Sequence, residues 1–162
     1  VHSVMLDPVS QMPIVVLRVK ESDDEFLPIW IGPFEADSIV RHLQSVPSQR
    51  PMTYELTRSI IQTLGAKLQK VVISDLKDNT YFAELHVEHE GKHLILDSRP
   101  SDAINLAIRF NAPVFANEHV LEKSKISKFE TKQEEEEEEE EKEKLRRWLE
   151  NLRPDDFTQG SS

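Results

Sequence analysis

Eight consecutive glutamates, Glu134 to Glu141, set the outer limit on what this chain can fold into. Such a run buries no apolar surface to offset the entropy lost on ordering. Residues 123–144 therefore read as a disordered acidic linker, and the foldable part is confined to residues 1–122, the size of one ordinary domain. Beyond the linker, in 145–162, Leu145, Trp148, Leu149 and Leu152 recur at i, i+3, i+4 and i+7 until Pro154, the pattern of a short amphipathic helix before a flexible C-terminus. That helix either packs on its own domain or frays, or it engages another protein chain.

Charge follows the same division. The net charge is −10, and residues 1–120 carry 11 basic and 16 acidic side chains, so half of the excess lies outside the domain. Zero cysteines exclude a disulfide scaffold, a thiolate zinc site and a cysteine nucleophile. No apolar run approaches the ~18 residues of a membrane span, and no leader pattern is present, so a cytoplasmic location without membrane association is expected.

Within the domain, Val4–Leu6 and Ile14–Val19 are apolar runs separated by Asp7-Pro8-Val9-Ser10, turn chemistry that predicts a pair of strands. Ser22-Asp23-Asp24 turns the chain into a third strand, Phe26–Ile31. Gly32-Pro33 opens a helix whose apolar stripe is Ala36, Ile39, Val40 and Leu43. Thr53 is the expected N-cap of a second helix that buries Leu56, Ile60 and Leu64 and ends at Gly65. Strands follow at Lys70–Leu76, Tyr81–His89 and His93–Asp97, then a helix Pro100–Phe110 and a short strand Pro113–Phe115. In the second of these strands Tyr81, Ala83, Leu85 and Val87 alternate with Phe82, Glu84, His86 and Glu88, one face for the core and one for water. Strand runs and helices without regular βαβ alternation predict an α+β fold, a mixed, largely antiparallel sheet with about three helices packed on it.

No glycine-rich phosphate loop, GxSxG elbow or HExxH helix is present. Three constellations remain. Asp97-Ser98-Arg99-Pro100-Ser101-Asp102 spans a strand-to-helix junction, where free N–H groups and Arg99 can hold a phosphate and Asp97 and Asp102 can hold a divalent cation. The same residues also suit an architectural role, Asp102 as a helix-dipole partner and Arg99 as its counter-ion. From Asp102 the helix runs a polar stripe through Asn105 and Arg109. Glu35 and Asp37 occupy the first turn of the helix after Gly32-Pro33, with Glu35 on the edge that faces a groove. His86, His89 and His93 form the third group; His86 and His93 suit a metal site geometrically, His89 has the wrong parity, and a solvated hairpin accounts for all three.

Taken in order, Leu27-Pro28-Ile29-Trp30-Ile31-Gly32 with Glu35-Ala36, Arg50-Pro51-Met52-Thr53, Leu76-Lys77-Asp78-Asn79-Thr80 with Phe82-Ala83, and Asp97-Ser98-Arg99-Pro100-Ser101-Asp102-Ala103-Ile104 strongly resemble the bifunctional nuclease (BFN) family, bacterial-type members in particular. The resemblance covers nearly all of residues 1–122. It implies an α+β fold, homodimers, and nuclease activity on RNA and DNA of the kind attributed to plant relatives. After Arg50-Pro51-x-Thr53 the family commonly shows His-Asp, where this chain has Tyr54-Glu55. Tyr54 is neither a nitrogen ligand nor a proton shuttle near neutral pH.

The resulting expectation is metal-assisted hydrolysis of RNA or DNA by a hydrolase of RNase or DNase type. Glu35, Asp97 and Asp102 would be catalytic and hold Mg²⁺ or Mn²⁺, with Lys77, Arg99 and Ser101 on the substrate phosphate. A domain at −5 lacks the cationic surface of a tight nucleic-acid binder, so weak affinity is expected. Stacking aromatics are scarce if Phe26, Trp30, Phe34 and Phe82 belong to the core. The alternative is a non-enzymatic dimeric module whose acidic tail and Trp148 helix engage a protein partner.

Overall fold

Valine-rich and alternating segments form strands here because branched side chains pack well on a pleated surface. The computed structural model describes residues 1–20, 25–125, 143–144 and 146. The chain divides into two units, Val1–Ser124 and Lys125–Ser162. The Ser22-Asp23-Asp24 turn, nearly all of the acidic linker, and Leu145, Trp148, Leu149 and Leu152 lie outside the described residues.

In the first unit, β1 (Ser3–Leu6), β2 (Pro13–Arg18) and β3 (Phe26–Trp30) form an antiparallel sheet in chain order. Val4 faces Val15, and Val15 faces Ile29. The turn before β2 is built from its own side chains: Asp7 Oδ1 accepts Val9 N–H at 3.0 Å, and Ser10 Oγ accepts Met12 N–H at 3.3 Å. Helices α1 (Pro33–Leu43) and α2 (Thr53–Thr63) come next, followed by β4 (Lys67–Lys77), β5 (Thr80–His89) and β6 (Lys92–Ser98). Helix α3 (Pro100–Phe110) leads to β7 (Val114–Ala116), and residues 118–125 are again helical. The second sheet has the order β6-β5-β4-β7, antiparallel except for β7, which runs parallel to β4. The expected α+β fold is thus present, with its strands divided between two sheets.

Two hairpins of the second sheet close on two-residue turns, Asp78-Asn79 and Glu90-Gly91, all four residues at positive φ. The core lies between the sheets and the helices and includes Val15, Ile29, Ile39, Val71, Ile73 and Ile104, each at most 2% exposed. Helix α3 packs on α1, α2, β4 and β5 together, so it is buried nearly all round. No described helix is long and apolar enough to cross a membrane.

Four expectations are corrected. Leu56, Ile60 and Leu64 of α2 are each more than half exposed, because α2 meets α3 along the neighbouring edge that carries Tyr54, Glu55 and Arg58. Leu43 at the end of α1 is likewise exposed. The cap of α2 is Met52, and Thr53 is the first helical residue, its side chain making no cap bond. His86, on the face expected to be wet, is buried, because the His93 ring stacks on it with centroids 5.0 Å apart.

Ile104 of α3 is fully buried in the core. Ile104→Ala is expected to destabilise the domain by about 2–5 kcal/mol through lost burial and the cavity left behind, measured by urea unfolding.

Candidate functional site

The polar line of α3 is where the helices meet. Ser101, Asn105 and Arg109 recur at i, i+4 and i+8 along the helix, and all are buried. Five hydrogen bonds saturate the Arg109 guanidinium. Nε donates to Glu55 Oε1 at 2.7 Å, Nη1 to Asn105 O at 3.0 Å and Oδ1 at 2.9 Å, and Nη2 to Ser38 O at 3.2 Å and Oγ at 2.9 Å. Its plane also lies over the Tyr54 ring, 5.3 Å from the centroid. Asn105 Nδ2 donates to Glu35 O at 3.1 Å and to Ser101 O at 3.0 Å. A single buried cation therefore ties α1, α2 and α3 together and sets the main chain at Glu35.

At the N-terminus of α3, the cap residue Arg99 reaches across to α1. Its Nη2 donates to Glu35 Oε1 at 3.0 Å and to Asp102 Oδ1 at 3.0 Å, and its Nε to Asp102 Oδ2 at 2.7 Å. Tyr54 O–H donates to Asp102 Oδ1 at 2.6 Å. Glu35 and Asp102 are mostly buried, whereas the Arg99 side chain is 66% exposed. Glu35 folds back over Gly32, the cap of α1, whose φ of −69° suits any residue. A Cβ there would strike the Glu35 carboxylate, which would have to move aside.

The Tyr54 phenol is held far above its usual range, first by burial, then by its bond to Asp102 and the charges of Asp102 and Glu35. It stays a protonated donor. Glu55 lies below the usual carboxylate range: burial pushes it up, but hydrogen bonds from Arg109 and its own backbone and the charges of Arg109 and His42 outweigh that. Glu55 Oε2 is buried without a hydrogen-bond partner. Glu55 and Arg109 border a cleft of about 260 Å³, also lined by Ser38, Arg41, His42 and Met52.

The structure brings Glu35, Arg99 and Asp102 together, with Ser101 buried in the same first turn of α3. Asp97 stands apart, exposed on β6 opposite Glu84. Lys77 pairs with Asp75 at 2.8 Å rather than joining Arg99. Asp75 also accepts from Lys123 and the Leu76 amide, and these bonds, the one from Lys77 foremost, hold it far below the usual carboxylate range. No group of three or more His, Asp or Glu able to hold a metal gathers among the described residues. The place between Glu35 and Asp102 is filled by a guanidinium, so the arrangement does not fit a resident Mg²⁺ or Mn²⁺ held by three carboxylates. His86 and His93 do meet, Nδ1 to Nε2 at 3.0 Å, but as a hydrogen-bonded pair.

Sequence reasoning missed two things. Tyr54, read as a departure from the family pattern, is part of the site as the donor to Asp102. Phe34 is not core; it is 86% exposed beside Glu35, and Phe26, Trp30 and Phe82 are exposed as well. The i, i+4, i+8 polar line of α3 was the signal for a buried network, whereas no pattern distinguishes an exposed Phe from a buried one in a helix's first turn.

Two measurements check this geometry. Gly32→Ala is expected to cost more stability with Glu35 present than in a Glu35→Ala background, because only with Glu35 does the new methyl displace a carboxylate; the poor capping by alanine is common to both. Urea unfolding of the four chains reads the difference. Glu55, depressed when folded, contributes stability that is complete above the unfolded value of about 4.3. That contribution is lost as pH falls through the lower folded value. The urea midpoint of Glu55→Gln should therefore approach that of the wild type as pH is lowered from about 7 to about 3.

With the geometry in place, the relatives are informative. An uncharacterized protein of Mycobacterium tuberculosis is 33% identical over 160 residues, 97% of this chain and 95% of its own length. Bifunctional nuclease 2 of rice is 30% identical over 105 residues, 63% of this chain but 32% of the rice protein. Bifunctional nuclease 1 of Arabidopsis thaliana is 27% identical over 126 residues, 71% of this chain and 39% of that protein. The chain thus spans 32% and 39% of the length of these plant proteins. The family model described as the bifunctional nuclease domain matches residues 15–129, and the chain belongs to the bifunctional nuclease family.

Proposed function

We propose that this domain is a weakly binding nuclease that hydrolyses phosphodiester bonds of RNA or DNA at the Glu35–Arg99–Asp102 cluster. The observation that carries the reading is Arg99, an exposed guanidinium at the N-terminus of a helix in a member of a nuclease family. A phosphate drawn to that terminus meets the helix N–H groups and the fork of Arg99 together. In this reading Arg99 binds the phosphate and stabilises the charge that grows on it. Once Arg99 turns to the substrate, Glu35 takes the proton of the attacking water as its oxygen bonds to phosphorus, the bond to the leaving sugar oxygen breaks, and that oxygen takes a proton from solvent. Tyr54 holds Asp102, and Asp102 orients Arg99. Exposed Phe34 offers a base a stacking face next to the cluster. Ser101 contributes through the helix terminus, and Lys77 and Asp97 bear on substrate farther along the sheet end. A domain charge of −5 keeps the affinity low and salt-sensitive. The working unit is a homodimer in the cytoplasm.

Mg²⁺ or Mn²⁺ assistance is read from the same assay. A divalent ion arriving on substrate phosphates needs only one or two protein carboxylates. Cleavage abolished by EDTA assigns it that part, and cleavage indifferent to EDTA leaves the chemistry to the protein's own groups.

A second reading has its own observation. Every carboxylate oxygen that Asp102 presents is engaged by Arg99 or Tyr54, as in an architectural lock, which favours a non-enzymatic dimeric module with a protein partner for its tail. Cleavage of single-stranded RNA and DNA by nuclease-free material separates the two. For the enzyme, Arg99→Ala is expected to lower kcat by about 10²–10³ and Phe34→Ala to raise KM with kcat kept. Unaltered cleavage in Arg99→Ala, Glu35→Ala and Asp102→Ala removes this site, and no cleavage by the wild type removes the enzyme.

A further inference from the structure

Strand β6 is an edge without defences. It is exposed along nearly its whole length, including three successive apolar residues, Leu94 at 42%, Ile95 at 55% and Leu96 at 48%. The cause is the width of the helix layer. Leu94 and Leu96 pair with Val87 and Leu85, whose side chains are buried, but α3 packs mainly over β4 and β5 and leaves Leu94 and Leu96 exposed. Natural edges are blunted by proline, bulges or lysines. From Lys92 to Ser98 there is no proline, the pairing with β5 runs without a shift, and the one lysine stands at the start.

The free hydrogen-bonding groups follow from the hairpin. Lys92 faces His89 across the two-residue Glu90-Gly91 turn, which makes that pair a hydrogen-bonded one. Alternation then turns the N–H and C=O of His93, Ile95 and Asp97 outward. The sequence His93-Leu94-Ile95-Leu96-Asp97 is symmetric about Ile95, with a basic residue at one end and an acidic one at the other. Asp97 needs such a neighbour, because in its own sheet it stands directly opposite Glu84.

We propose that a second copy of this chain pairs with this edge, β6 antiparallel to β6 about a two-fold axis through Ile95, so that the two sheets become one. The inference rests on the homodimer of the proposed function and names its interface. The register sets Ile95 against Ile95, Leu94 against Leu96 and His93 against Asp97, each with its partner on the same face. Outward groups of three residues on each copy form about six hydrogen bonds. The leucines close an apolar patch over the strip the helices leave bare. The bond from His86 uses His93 Nε2, so Nδ1 is the nitrogen that meets Asp97 of the second copy.

The absence of cysteine makes the test direct. Sedimentation of the full chain is expected to give twice its 18.7 kDa, falling to a single chain mass in Leu94→Lys/Leu96→Lys. Leu56→Lys/Ile60→Lys, on the exposed stripe of α2, is expected to stay dimeric. Leu94→Cys and Leu96→Cys chains, tagged differently and co-expressed, are expected to crosslink to each other under mild oxidation, and neither to itself. That result does not depend on the lysine variants folding. A dimer that gives no such crosslink, or that dissociates with the α2 variant, overturns this interface and leaves the homodimer standing. A monomeric wild type overturns both, and a self-crosslink of Leu94→Cys overturns the register.

Discussion

The buried guanidinium of Arg109 is the interaction on which the candidate site depends. An arginine taken out of water is tolerable only when its donors are all satisfied. Here five bonds reach three helices, and no other described side chain links α1, α2 and α3 at once. Its partners are the groups that aim the site: Asn105 carries the main chain of Glu35, and Glu55 anchors the turn of α2 that presents Tyr54. The exposed cluster at Arg99 is thus the outer end of a network whose inner end is dry. Such networks hold geometry well when every member is paired.

That arrangement explains how an acidic domain can present a cation. Arg99 stands between two shielded carboxylates, so it is oriented before any ligand arrives, yet most of its surface meets water. The same carboxylates limit what it can do, because an incoming phosphate competes with them for the guanidinium. In the proposed function, weak phosphate binding follows from that competition. Gly32 belongs to the same design, since it clears the space into which Glu35 folds.

A second theme is the mismatch between helices and sheet. Helices α1 to α3 leave part of the four-stranded sheet bare, because α3 occupies the middle and α1 and α2 pack mainly on α3. The strip left over is β6, and the helix pushed outward is α2, with its stripe of Leu56, Ile60 and Leu64 towards solvent. Exposed apolar surface of this extent marks an interaction site more often than an accident. The edge strand has, in addition, the self-complementary order of charges that the helix stripe lacks.

Most of the architecture was legible in the chain because it is written in local rules. Alternation marked β5, turn residues with positive φ marked the hairpins, and Pro33 and Pro100 marked the starts of α1 and α3 within a residue. Residue strings placed Glu35, Asp97, Arg99 and Asp102 as candidates, and Arg99 joins Glu35 and Asp102 while Asp97 stands apart. What the chain could not specify is which apolar stripe finds a partner. Helical periodicity is the same for a stripe facing a core and a stripe facing a second molecule, so Leu56 and Ile60 read as buried. Parity assigned His86 to the wet face, yet only the neighbouring strand could supply the His93 ring that covers it. Likewise Asp97 and Asp102 are close in sequence, but a strand end and a helix start point them in different directions. Sequence spacing sets the menu of contacts; the packing of α3 between the other helices and the sheet chose among them, because each buried face can be covered only once.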